Sequence, residues 1–547
     1  MPSLPGNRTP LLLELDLTDL PVDPDPGDPV ARLRNRGRRL LRPTLRALHE
    51  AADDPRVVGL VARVGGPLPW AAMQELRLGV QAFAASGKPT VAWAESFGEV
   101  ADTASYVLAT AFGRIWLQPG GGVGLLGVAA ETTFLGGALA KLGVQPEFEQ
   151  RHEFKNAVDT FTRTGFTEAH RASLEQLTRS LLDEAVERVT ETRGTTPEQV
   201  RALVDSGPRT AREALEVGLV DRLGYRDEVH AALRAEVGED AELLFADRWS
   251  PRRSLPAAPW SKPGRVAVVR AHGGIGSGRS RRGPTGRQLG SDTVAAELRA
   301  TLEDDQVKAV VLHVDSPGGS AVASEVIWRE VCRVRDSGRP VVVSMGALAA
   351  SGGYYIAAPA DVVVALPGTL TGSIGVFGGK FVVTDLLDRA GLTTGAVQQG
   401  EHARMYSSRK PFGEQERERL AATVDAIYDD FVGKVAAGRG RPVAEIEPLA
   451  RGRVWTGRDA LEHGLVDELG GLRDAVRIAR QRAGLPDDAP VGPAVHLPAA
   501  ARLGRPRNSE DPRAASAVTA WPGLTDLTRA LGLPAGSELT MPGIRLR

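Results

Sequence analysis

The pattern of apolar and polar positions along the chain predicts alternating strands and helices. LLLELDL (Leu11 to Leu17) alternates after its leading leucines and reads as a strand. Further along, the apolar run VAVVRA (Val266 to Ala271) is followed by SDTVAAELRATLED (Ser291 to Asp304), where apolar residues recur at helical spacing and Ser291 or Asp292 stands as the cap. VKAVVLHV (Val307 to Val314) reads as a strand, SEVIWREVCRVRDSG (Ser324 to Gly338) as a helix and PVVVSM (Pro340 to Met345) as a strand. Valine runs that do not alternate belong to strands covered on both faces, and such strands joined by helices form parallel βαβ units. The predicted class is α/β.

The pattern is written twice. SGKPTVAW (Ser86 to Trp93) returns as SGRPVVVS (Ser337 to Ser344), and YVLATAFGRIWLQPGGGVGLLGV (Tyr106 to Val128) returns as YYIAAPADVVVALPGTLTGSIGV (Tyr354 to Val376). ALEVGLVDRLG (Ala214 to Gly224) returns as ALEHGLVDELG (Ala460 to Gly470), and the offset stays between 246 and 251 residues throughout. A period this long is a duplicated domain and not a solenoid. The Pro- and Arg-rich stretch SPRRSLPAAPWSKPGR (Ser250 to Arg265) reads as a linker. The expected organisation is a first copy over 1–249, a linker over 250–265, a second copy over 266–485 and a Pro/Ala/Arg-rich tail over 486–547. The tail reads as loosely ordered, with LTDLTRALGL (Leu524 to Leu533) as a candidate amphipathic helix.

Composition narrows the function classes. Of 547 residues, 67 are Lys or Arg and 68 are Asp or Glu, for a net charge of −1. No basic excess exists to neutralise phosphates, which excludes an electrostatic nucleic-acid binder. The single cysteine, Cys332, excludes a disulfide framework and a cysteine-based zinc site, and no HExxH spacing appears. No metal or cofactor is expected. At the N-terminus three leucines precede Glu14 and Asp16, whereas a signal peptide needs about 7–15 apolar residues and a membrane span about 20. Neither pattern is present, so the expected location is cytoplasmic, with peripheral membrane association left open.

Three Gly-rich turns of the second copy fall at the carboxyl ends of its strands, where open α/β sheets place their ligands. They are Asp315-Ser316-Pro317-Gly318-Gly319, the stretch Ala349-Ala350-Ser351-Gly352-Gly353-Tyr354, and Leu370-Thr371-Gly372-Ser373-Ile374-Gly375. Ser351 precedes two glycines and opens a short apolar helix, YYIAAPA, so it reads either as an N-cap or as a nucleophile presented on a sharp turn. The glycines at 318 and 319 let backbone N–H groups approach a developing oxyanion.

In combination, SPGG, AASGGYY and LTGSIG resemble the signal peptide peptidase A family in its long, two-copy form: serine proteases of the ClpP/crotonase-type fold. The resemblance covers both copies and implies two tandem ClpP/crotonase-like domains built from βαβ units. It implies Ser351 as nucleophile and a lysine, not a histidine, as general base. The matching segment EFKNAVDTFTRTGFT makes that base Lys155, supplied by the first copy. Ser373 stands where the family has a lysine-orienting serine, and Gly318 or Gly319 with the amide of Ser351 or Gly352 forms the implied oxyanion hole. The implied substrates are extended, largely apolar peptides such as cleaved signal peptides. The implied assembly is a homo-oligomer, a tetramer for the two-copy form. Family members are commonly anchored by an N-terminal helix, and no such stretch is written here.

Comparing the copies supports a division of labour. In the Tyr106/Tyr354 register Ser351 corresponds to Thr103, and SPGG corresponds to GGPLP (Gly65 to Pro69), where proline removes a possible amide donor. The second-copy match to Lys155 is Ala403, Arg404 or Met405; the competitor Lys410 pairs with Thr164. An ordinary lysine has a pKa of about 10.4 and is charged at neutral pH, so a lysine base must be desolvated. Phe154, Ala157, Val158 and Phe161 supply an apolar wall. His313 reads as a packed strand residue, while His272 and His402 lie in loops near the candidate segments. GGGVGLLGV near Gly120 imitates a dinucleotide loop but lacks the following acidic residue. Two rivals stay open: a crotonase-like acyl-CoA enzyme using the same backbone hole, and a catalytically inactive peptide-binding scaffold.

Overall fold

A computed structural model describes residues 9–18, 39–66, 68–98, 102–251, 264–283 and 286–495, with three short strands at Val518–Thr519, Glu538–Thr540 and Arg545–Leu546. Most of the linker and the candidate helix at 524–533 lie outside the described residues. The chain packs as two compact units, one made of residues 1–129 and 181–258, the other of residues 130–180 and 259–546.

Each unit contains six parallel strands in the same order, and the second unit's sheet adds the strands Leu370–Gly372 and Val454–Thr456, paired antiparallel. In the first unit the strands run Glu242–Phe245, Leu11–Leu17, Val57–Val64, Thr90–Ala94, Arg114–Leu117 and Arg222–Leu223. In the second they run Val491–Pro493, Arg265–His272, Val307–Ser316, Val341–Ala350, Val362–Ala365 and Glu468–Leu469. The duplication extends to buried detail. Tyr106 donates to the Leu219 carbonyl at 2.7 Å and Tyr354 to the Leu465 carbonyl at 2.8 Å. Asp221 accepts from the Ile115 amide at 2.6 Å and Asp467 from the Val363 amide at 2.7 Å. The α/β class and its parallel βαβ construction are as the valine runs predict.

Those runs do not alternate because both faces of each sheet are covered. In the Val307–Ser316 strand, Val310, Leu312 and Val314 enter the main core, while Ala309 and Val311 face a second cluster beneath the helix Leu472–Arg482. Fully burying one such side chain contributes about 1.5–3 kcal/mol, so polar alternation would cost the fold heavily. The predicted cap of the Ser291–Glu303 helix is corrected. Gly290, which has no side chain to bond, occupies the N-cap, and the backbone amides there find other acceptors. Asp292 N–H reaches the Gly278 carbonyl at 3.0 Å and Gly290 N–H reaches Ser280 Oγ at 2.9 Å.

A second sheet in the same unit positions the chemistry. Its order is Val518–Thr519, Arg281–Gly283, Gly286–Gly290, Gly274–Gly276, Gly318–Ser320, Glu538–Thr540, Phe377–Val382 and Gln145–Gln150. Gln145–Gln150 pairs antiparallel with Phe377–Val382 over six registered positions. This ladder attaches residues 130–180, which belong to the first repeat by sequence, to the unit built mainly from the second.

Candidate active site

Ser351 follows the Val341–Ala350 strand and immediately precedes the helix Gly352–Ala357. It stands at the N-cap position with a φ of +56°, but its side chain caps no amide of that helix. A non-glycine residue held in this region costs about 1–3 kcal/mol and persists only where its surroundings dictate it. Here they do: Ser351 N–H donates to the Gly372 carbonyl at 2.8 Å and its carbonyl accepts from Tyr355 N–H at 2.9 Å. The equivalent Thr103 starts an ordinary helix. Asp102 caps it by accepting from Ser105 N–H at 3.2 Å, and Thr103 Oγ1 donates to the Gly127 carbonyl at 2.7 Å.

Lys155 lies in the turn between Gln145–Gln150 and the short helices Asn156–Val158 and Asp159–Thr162. Its side chain is fully buried, and Nζ lies 2.8 Å from Ser351 Oγ. Nζ also donates to the Ser373 carbonyl at 2.9 Å and to Ser373 Oγ at 3.0 Å. Burial alone holds the amine well below the ordinary lysine range. Phe154, Ala157, Val158 and Phe161 are all buried, and Phe377 and Phe148 pack beside Ala157 and Val158. Ser373 is itself held at a φ of +49°, with its N–H on the Arg453 carbonyl at 2.6 Å.

Two glycines make room for Lys155, one beside its stem and one beside its backbone. A Cβ on Gly375 would stand 3.2 Å from Lys155 Cδ, and one on Gly452 would stand 2.4 Å from the Lys155 backbone nitrogen. Gly452 also has a φ of +85°, which glycine alone adopts without penalty. It went unnoticed in the sequence, because nothing in LARGRVW marks a contact with a residue about 300 positions earlier.

Gly318, Gly319 and Gly352 converge beside Ser351. A Cβ on Gly352 would lie 3.1 Å from Gly319 N and 2.7 Å from Ser324 Oγ; one on Gly319 would lie 2.0 Å from the Ile275 carbonyl oxygen. The Gly318 amide donates to Ser316 Oγ at 3.1 Å, and the Ser351 amide is engaged by Gly372 as above. Of the amides considered from sequence, those of Gly319 and Gly352 lie close to one another beside Ser351.

The other candidates stand apart. Lys410 pairs with Glu416 at 2.7 Å, and His402 lies 4.0 Å from the same carboxylate. His313 is a packed strand residue with Nδ1 3.1 Å from the Ser344 carbonyl, its ring edge-on to His272. Among the described residues no helix is long and apolar enough to cross a membrane.

Residues 82–240 and 333–486, more than half of the chain, match the profile described as Peptidase family S49. The chain is 31% identical over 444 residues to "Serine protease SPPA, chloroplastic" of Arabidopsis thaliana, covering 80% of this chain and 65% of that protein. It is 35% identical over 451 residues to "Protease 4" of Salmonella typhi, covering 80% and 71%. It is 31% identical to "Protease 4" of Haemophilus influenzae, covering 80% and 72%.

Proposed function

The chain belongs to peptidase family S49, and from that premise we propose that it is a serine endopeptidase with Ser351 as nucleophile and Lys155 as general base. The observation carrying this reading is the 2.8 Å approach of Lys155 Nζ to Ser351 Oγ at a site where both side chains are buried. A neutral amine accepts the hydroxyl proton as Oγ attacks the scissile carbonyl. The amides of Gly319 and Gly352 receive the tetrahedral oxyanion. Lys155 then delivers the proton to the leaving amine, giving an acyl-enzyme, and takes one from the water that hydrolyses it. Ser373, contacting Nζ through two oxygens, keeps the amine's lone pair directed at Ser351.

The substrates in this reading are extended, largely apolar peptides such as cleaved signal peptides, handled by a homo-oligomer, a tetramer for the two-copy form. Support for an extended substrate comes from the second sheet. Glu538–Thr540 pairs antiparallel with Gly318–Ser320, and Glu538 also pairs with Phe377. A peptide taking that slot adds a strand next to the oxyanion glycines, with main-chain bonds supplying affinity.

The test is labelling by a serine-reactive fluorophosphonate together with cleavage of a fluorogenic apolar peptide. Wild type labels and cleaves, whereas folded Ser351→Ala does neither. Retained turnover in Ser351→Ala points to chemistry without a nucleophile, and absent labelling of wild type at every pH points to a binding scaffold.

A further inference from the structure

Asp159 and His170 lie outside the dyad yet are both buried, at 4% and 2% exposure. Asp159 opens the short helix directly behind Lys155, and His170 stands in the first turn of the helix Glu168–Arg193. His170 Nδ1 sits 3.4 Å from Asp159 Oδ2, in ion-pair range but without a hydrogen bond's geometry. Thr167 Oγ1 donates to the same carboxylate oxygen at 3.3 Å and accepts from His170 N–H at 3.2 Å. Phe134 and Phe166 meet the imidazole edge-on, at centroid separations of 5.8 and 5.1 Å. The other charged groups at hand are Arg163, with Nε 4.0 Å from Asp159 Oδ1, and Arg171, stacked over Phe166.

His170 and Ser373 both border a cavity of about 10 Å³, whose lining also includes Asn156, Ser173, Gly452 and the apolar Leu174. That is room for one water, which is stable there only with two or more polar partners. Partners are at hand: Asn156 Oδ1 and His170 Nδ1 are buried with no hydrogen-bond partner, and Ser373 borders the same space.

We propose that His170 and Asp159 are positioning residues for the base. His170 reaches Ser373 through one water in this cavity and, with Asp159, fixes the turn that carries Lys155. The proposal rests on the reading of Lys155 as base. An unpaired buried acceptor costs about 1–3 kcal/mol, so a water satisfying Asn156 and His170 locks the turn rather than merely filling space. Displacing a catalytic group by about 1 Å costs on the order of a hundredfold in rate, and a loosened turn also lets solvent reach Lys155.

The experiment uses the full chain with His170→Phe, which keeps a ring but removes the polar atoms, and His170→Asn, which restores an amide. In His170→Phe, kcat falls roughly ten- to hundredfold with KM unchanged, and the rise of kcat/KM with pH moves to higher pH. His170→Asn recovers part of both. If His170→Phe does not fold, Asp159→Asn carries the same readouts. A folded His170→Phe or Asp159→Asn with wild-type kcat and pH profile overturns the positioning role while leaving the dyad intact. An active Lys155→Ala chain would instead remove the reading on which it rests.

Discussion

Lys155 Nζ and Ser351 Oγ stand 2.8 Å apart although 196 positions separate them in the chain. The pairing is built by backbone: the Gln145–Gln150 ladder on Phe377–Val382 continues as Arg151 N–H on the Val376 carbonyl at 3.0 Å and Phe154 N–H on the Arg451 carbonyl at 3.2 Å. Gly452 lies against the backbone of Lys155 and Gly375 against its stem, and the amine ends on Ser373. Burial is what depresses its proton affinity, so each group that excludes water from Lys155 raises the fraction that is neutral and able to accept a proton at working pH.

The rate should therefore rise with pH. Lys155 acts only when deprotonated, and its pKa is depressed, so kcat/KM climbs through a single ionisation below the ordinary lysine range. Lys155→Arg stays protonated at every accessible pH and shows no climb. A pH–rate profile of both proteins checks this, and a flat profile for wild type would count against a lysine base.

Stability should move with pH in the same direction. Between the depressed folded pKa and the ordinary value near 10.4, the unfolded chain binds a proton that the folded chain does not, so wild type gains stability as pH rises across that window. Lys155→Met fills the same space without the titration. Its melting temperature should exceed wild type near neutral pH, and the gap should close as pH approaches 10. Thermal melts across pH measure it.

Ser373→Ala removes the Oγ contact to Nζ but leaves the 2.9 Å carbonyl contact. Losing one hydrogen bond to the amine is worth about 1–2 kcal/mol, so kcat should fall roughly five- to thirtyfold with KM little changed. Steady-state kinetics on the fluorogenic peptide separate the two.

Gly352→Ala introduces a Cβ 2.7 Å from Ser324 Oγ and 3.1 Å from Gly319 N. It crowds the space in which the oxyanion forms, and loss of one oxyanion donor costs about 10²–10³ in kcat. The variant should still be labelled by the fluorophosphonate, though slowly; rates equal to wild type would remove these amides from the mechanism.

Deleting residues 496–547 removes the Glu538–Thr540 strand from its place against Gly318–Ser320. A strand tethered in the same chain competes at a high effective concentration, so the shortened protein should show a lower apparent KM for short peptides and the same kcat.

The duplication, the parallel class and Ser351 as a candidate nucleophile were legible in the sequence, because each leaves a local mark: repeated strings, valine runs, glycines about a serine. The lysine was legible only by resemblance and by comparing the copies, since Phe154, Ala157 and Val158 do not say which unit will bury them. Gly452 and His170 left no mark, because their role is set by a close approach of distant backbones. The Ser291 cap was misread for a related reason: Gly278 and Ser280, a loop away, take the bonds that a cap would make.

The difference between Thr103 and Ser351 has a consequence for how the chain tolerates change. One repeat begins its short helix from a relaxed, Asp102-capped start; the other holds its serine at φ +56°. At this helix start conformational tension is thus carried by one repeat and not by the other, and the relaxed start is at liberty to accumulate replacements that favour robustness. Random mutagenesis should sort accordingly, with damage around Thr103 appearing as lost soluble yield and damage around Ser351 as lost turnover in a protein that still folds.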